Sequence, residues 1–209
     1  MTHIDHDGLP LPQRYGAILT IVLSVSIAVL DGAIVNVALP TIARELHTSP
    51  AASIWVVNAY QLEIIVSLLS FASLGDIYGY RRVYQCGLAV FSVMSLLCAL
   101  LDSLWMLIGS RVLQGFGAAA EMSINGALIR IIYPKRILGR GMAINTPMVA
   151  MSTAAGPTVA AGVLSVASWQ WLFAINVPIG LFALWLGHRF LPVNSRRKTA
   201  ANASTPPAR

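Results

Sequence analysis

The sequence predicts an all-α, polytopic membrane protein with six transmembrane helices. Three observations carry this. Of 209 residues, 56% are hydrophobic and only 11% charged, against about 25% charged in a soluble domain. The apolar residues gather into six stretches of roughly 20 residues or more, the length a helix needs to cross a hydrocarbon core of about 30 Å. The basic residues collect at the ends of those stretches, and their bias sets an orientation.

The first stretch, Tyr15–Leu39, is longer than a signal-peptide core and no small-residue cleavage site follows it, so it reads as a retained helix. Pro40–Ala52 then forms the longest loop on its far side. The second span, Ser53–Ser73, is joined by a Gly-containing turn to the third, Val83–Leu101. Only Asp102 and Ser103 separate the third from the fourth, Leu104–Ile129, which makes these two a tight antiparallel pair. A basic loop, Tyr133–Arg140, leads to the fifth span, Gly141–Val166, and the sixth is Trp171–Leu191. Residues 1–14 read as a cytoplasmic tail, 15–191 as the six-helix bundle and 192–209 as a second cytoplasmic tail or the start of a linker, its Arg196, Arg197 and Lys198 suited to anionic lipid.

The net charge of +6 invites a nucleic-acid reading, but position argues against it. With the N-terminus inside, Arg14, Arg81, Arg82, Arg130, Lys135, Arg136, Arg140, Arg189, Arg196, Arg197, Lys198 and Arg209 are cytoplasmic, Arg44 is outside and Arg111 is within the membrane, which accounts for all 14 basic residues. The positive-inside rule therefore selects both termini cytoplasmic. Cys86 and Cys98 lie 12 residues apart on one helix, about 18 Å along its axis, too far to pair; they read as packing residues. His3 and His6 sit in the polar tail, and no metal-ligand spacing or cofactor signature appears. No soluble domain large enough for a separate catalytic site remains. An intramembrane protease needs a Ser and a His, or paired Asp, in its spans. His3, His6, His47 and His188 lie outside the spans or at an end, and Asp31 has no second Asp, so the chain does not read as an enzyme.

Four ionisable residues do lie within the spans: Asp31, Glu63, Arg111 and Glu121. Charge in hydrocarbon is costly and marks function. Asp31 lies 8 residues before Leu39, about 12 Å below that surface of the core, and Arg111 lies 7 residues after Leu104, about 10 Å below the same surface. Two opposite charges at matched depth are candidates for a pair facing a shared wet interior; the alternative is that they face separate water-filled cavities without touching. Glu63, near the middle of span two, is either a proton carrier or a hydrogen-bonded packing residue. Glu121, in the cytoplasmic third of span four, either lines a cavity or snorkels toward the inner interface.

The turn A-S-L-G-D-I-Y-G-Y-R-R over residues 72–82 resembles the major facilitator signature between helices two and three. Leu74, Gly75, Asp76, Gly79, Arg81 and Arg82 match it, while Ala72, Ile77 and Tyr80 depart from it, which implies a weakened cytoplasmic gate. L-D-G-A-I-V-N-V-A-L-P over 30–40 resembles the helix-one signature of the fourteen-helix drug:proton antiporters, with Ala33 in place of Thr. R-V-L-Q-G-F-G-A-A over 111–119 resembles the helix-four segment whose Arg is implicated in proton coupling. G-P-T-V-A-A over 156–161 resembles the antiporter segment G-P-x-x-G-G, with two Ala for Gly, and S-W-Q-W-L-F-A-I-N-V-P-I-G over 168–180 resembles the helix-six segment.

The resemblance implies the N-terminal half of a proton-coupled exporter of lipophilic cations, built as a 3+3 inverted repeat, in the bacterial cytoplasmic membrane. It implies proton coupling at Asp31 and Arg111, to which the depth of Glu63 in its span adds a third candidate. It implies a substrate cavity lined by Asn36, Tyr60, Glu63, Gln114 and Glu121, with aromatic rings such as Trp55, Tyr60 and Phe116 able to stack on a cation. It places a kink at Gly156 and Pro157. The partners expected are the bilayer, protons, cationic or lipophilic small molecules, and a C-terminal half or a second copy, since a lone bundle is expected to present its charges to lipid. The rival expectation is a truncated six-helix protein, incompetent for transport, with a structural or interfering role.

Overall fold

The computed structural model describes residues 8–192; His3, His6 and the Arg196–Lys198 run lie outside the described residues. Regular structure among the described residues is helical: α1 (Leu11–Glu45), α2 (Pro50–Ser53), α3 (Trp55–Tyr78), α4 (Tyr80–Leu100), α5 (Leu104–Ile132), α6 (Leu138–Val166), α7 (Gln170–Ala174) and α8 (Asn176–Phe190), with a 3-10 turn before α6. Short α2 continues into α3 and short α7 into α8, so the six expected spans are present. Five of them are long and apolar enough to cross a membrane by length and composition alone. The other, α5, carries Arg111, Glu121 and Arg130; it packs chiefly on α3 and α4, and Arg111 and Glu121 are buried while Arg130 is exposed.

Several boundaries differ from the sequence expectation: α3 runs past Ser73 to Tyr78 and α4 starts at Tyr80 and not Val83, so Gly79 alone separates them, α5 runs past Ile129 to Ile132, and α6 starts at Leu138 and not Gly141. Residues 11–14, expected in the tail, form the first turn of α1. At its other end α1 runs through Pro40 to Glu45 and does not stop at Leu39, so the expected loop shrinks to residues 46–49. The stop is a Schellman closure: Thr48 N–H donates to the Ala43 carbonyl (2.9 Å) and His47 N–H to the Arg44 carbonyl (3.3 Å), with His47 left-handed at φ 50°. His47, and not the proline, ends the helix. Ser49 then caps α2 by accepting from Ala52 N–H (3.2 Å), and Pro50 occupies the first helical position.

The packing is inside-out relative to a water-soluble protein. Asp31, Arg111, Gln114, Glu121, Asn176 and several serines are buried, while Ile65, Val66, Leu69, Met151 and Val166 stand exposed on the outside. An apolar exterior of this extent requires lipid around it.

The helix pairings repeat when the first three spans are exchanged for the last three. α1 packs on α6 and α8 as α5 packs on α3 and α4, and α1 meets α5 across the centre. Three spans per unit invert the second unit in the membrane, which is the 3+3 arrangement the sequence halves do not reveal.

Candidate functional site

Asp31 of α1 and Arg111 of α5 meet in an ion pair between the Asp31 Oδ2 and the Arg111 Nη1, both side chains buried. The other carboxylate oxygen, Oδ1, accepts from Asn176 Nδ2 of α8 (2.7 Å) and Gln114 Nε2 of α5 (3.3 Å). Gln114 also accepts from Arg111 Nη1 (2.7 Å) and donates to the Ser95 hydroxyl of α4 (2.6 Å). Arg111 Nε donates to the Val56 carbonyl of α3 (3.1 Å), and the guanidinium lies 4.0 Å over the Tyr60 ring. Tyr60 in turn donates its hydroxyl to the Ala28 carbonyl (2.9 Å). Five helices thus converge on one carboxylate–guanidinium centre, and every group that touches Asp31 is a donor.

The glycines of the 111–119 segment make this convergence possible. A Cβ at Gly115 would stand 2.8 Å from the Glu63 Cβ on α3, and one at Gly117 would stand 2.6 Å from the Gly87 carbonyl on α4. Two glycines on opposite sides of α5 let both neighbours approach to backbone distance.

The matched depths of Asp31 and Arg111 therefore correspond to direct contact. The wet interior expected around them is a closed cluster sealed inside the six helices, so the bundle does not present this pair to lipid. Tyr60, Gln114 and Glu121 are also enclosed, and Tyr60 spends a ring face on Arg111. Glu121 does not snorkel; it is fully buried. Asn36 lies at the bundle surface, its Nδ2 bonded to the Gly32 carbonyl one turn back (2.9 Å). Glu63 is half-buried, bonds to neither member of the pair, and accepts a hydrogen bond from Ser67 on its own helix. Trp55 is exposed, and Phe116 meets Phe71 edge-on.

The 72–82 turn is built as an internal brace. Gly79 at φ 96° ends α3 and opens α4, and Gly75 leaves room for the Tyr80 ring. Asp76 accepts from the Tyr80 hydroxyl, at the position where the family signature has a basic residue, and pairs with neither Arg81 nor Arg82. Arg81 donates to the His188 carbonyl in the last turn of α8, where a cation also meets the negative end of the helix dipole. Leu74 and the exposed Arg82 border an apolar groove of about 380 Å³ between α3, α4 and α5. Gly156 packs on Ala33 of α1, so the missing Thr is replaced by the smaller residue where α6 comes closest. Pro157 is one of two prolines inside α6; Pro147 was not anticipated. Cys98 lies against Gln114, whereas Cys86 is exposed and not a core packing residue.

Asn176 and Ser95 were missed as site residues. The signal for Asn176 was an amide inside an apolar span; a lone serine carries none.

Residues 21–208 match the family model of the Major Facilitator Superfamily. The chain belongs to the major facilitator superfamily. Over its whole length it is 65% identical to an uncharacterized transporter, YebQ, of Escherichia coli (strain K12), of which it covers 46%. It is 34% identical to a riboflavin transporter, RibZ, of Clostridioides difficile (strain 630), over 87% of this chain and 40% of that one. It is 38% identical to a tetracenomycin C resistance and export protein of Streptomyces glaucescens, over 86% of this chain and 33% of that one. An inward-open structure of the xylose transporter XylE from E. coli superposes with a TM-score of 0.74 at 13% identity, over 87% of this chain and 48% of that one. The chain thus spans less than half the length of these relatives and shares its fold with one bundle of a facilitator.

Proposed function

We propose that this chain is the N-terminal bundle of a proton-coupled exporter of lipophilic cationic drugs, working by alternating access in a bacterial cytoplasmic membrane with both ends of the bundle cytoplasmic. The observation that carries this reading is the enclosed Asp31–Arg111 pair, held from five helices at the centre where α1 meets α5. A proton arriving from outside binds Asp31 and cancels the ion pair. Arg111 then keeps the Val56 carbonyl, Gln114 and the Tyr60 and Phe173 rings. Because α1 and α5 hold equivalent places in the two three-span units, loosening their contact biases how the units sit against each other, which is how a local charge change becomes a global one. Asn36, at the bundle surface, and the half-buried Glu63 are residues that a drug between two bundles can touch, and the Glu63 carboxylate favours a cation. The export protein among the relatives supports an outward-moving organic substrate.

The test is pH-gradient-driven efflux of a lipophilic cationic dye from vesicles carrying the protein. Asp31→Asn is expected to lower coupled efflux at least about tenfold while dye binding persists. Unchanged coupled efflux removes Asp31 from the mechanism.

A further inference from the structure

A second polar layer crosses the bundle nearer the face that carries the basic residues. Glu121 follows Gln114 by seven residues on α5, and Ser24 precedes Asp31 by seven on α1. Each therefore lies on the same helix face as its counterpart, about 10 Å further along the axis. Ala28, Leu88, Phe91 and Ala118, all buried, separate the two layers.

The layers differ in one respect. Asp31 has a cation and two amide donors; Glu121 has no such partner. Its side chain is fully buried, and neither carboxylate oxygen has a hydrogen-bond partner. Among the described residues no Lys, Arg or His forms an ion pair with it, and the one buried guanidinium is engaged by Asp31. The titratable groups close enough to feel its charge are Tyr84 from α4 and Tyr60 from α3. Ser24 from α1, hydrogen-bonded to Tyr84, lies beside the carboxyl. The burial is a property of this bundle by itself, so a second bundle docked against it does not create it.

An ionised carboxyl with no cation, and with no donor near it but the Ser24 hydroxyl, is far more costly in such a site than a neutral acid, so it takes up a proton. We propose that Glu121 holds a proton in this conformation and is a second proton-binding site, distinct from Asp31. When the bundle opens toward the basic face, the Glu121 O–H bond breaks, the proton passes to water on that side, and the Ser24 and Tyr84 hydroxyls turn to donate to the carboxylate left behind. The use of this proton in transport rests on the proton-coupled reading above; its presence does not.

Infrared spectroscopy of the protein in lipid nanodiscs at neutral pH tests it without any transport step. The carbonyl stretch of a protonated carboxylic acid is expected in the wild type, lost in Glu121→Gln and kept in Asp31→Asn. A difference spectrum between wild type and Glu121→Gln that shows loss of a carboxylate band in place of an acid band overturns the proposal. Should Glu121→Gln fail to fold, Glu121→Asp keeps the acid and is expected to shift the same band, and an unshifted band is equally fatal. An Asp31→Asn protein that still pumps dye would refute the coupling scheme and leave the Glu121 spectrum to decide this site.

Discussion

Asp31 and Arg111 lie 80 residues apart, yet their contact was legible because each charge could be counted in from a helix end at 1.5 Å per residue. Asn176 and Ser95 were not legible, because nothing local says which face of α8 or α4 turns toward Asp31. The pair has a stability consequence. Removing one partner leaves the other charge stranded in a dry interior, at a cost of about 3–5 kcal/mol, whereas removing both is far milder. Asp31→Asn and Arg111→Gln are each expected to lower the melting temperature in detergent, and the double variant to recover much of the loss. Thermal melts of the three proteins check this; a double variant as unstable as the sum of the singles would mean that the two side chains do not share one interaction.

The helices obey a different economy. α5 carries a buried arginine, glutamine and glutamate, and it can do so because α3 and α4 press against it at Gly115 and Gly117. A Cβ at Gly117 would stand 2.6 Å from both the Gly87 carbonyl and the Phe91 amide nitrogen, so the helices must part to admit one. Gly117→Ala is expected to cost about 1–3 kcal/mol. Gly109, on the same helix, faces open space, so Gly109→Ala is expected to be neutral or to stabilise by up to about 1 kcal/mol through helix propensity. Melting temperatures of the two variants separate close packing from mere composition; equal effects would contradict the assigned contact. The extension of α1 past Pro40 belongs to this scale too. A proline removes one donor, but the turn that stops the chain is set by the left-handed His47, a conformation its sequence does not announce.

Viewed as a whole, the molecule is two three-span units interlocked so that their pairings correspond, with α1 and α5 in equivalent places and the Asp31–Arg111 pair between them. The described basic residues at helix ends mark one face: the start of α1, the α3–α4 turn, the segment between α5 and α6, and the end of α8. Arg44 marks the other. The proposed orientation makes a direct prediction. In a protein whose Cys86 and Cys98 are replaced by Ser and Ala, Glu45→Cys is expected to react with a membrane-impermeant maleimide in intact cells, and Arg136→Cys only once the cells are opened. The reverse pattern would invert the topology and with it the direction of proton entry.

By itself the sequence determined the number of crossings, the sidedness expected of them and the depth of each charge. These are additive, local properties: a span is a run of apolar residues, and a charge at its end or within it can be counted along the chain. Only the tertiary structure decided that Asn176 and Ser95 join Asp31 and Arg111 in one enclosed cluster, that Arg81 braces α8, and that Glu121 lies enclosed without a cation. Those facts depend on how each helix is turned about its axis and on which neighbours it meets, and in an apolar solvent hydrophobic periodicity gives little purchase on either.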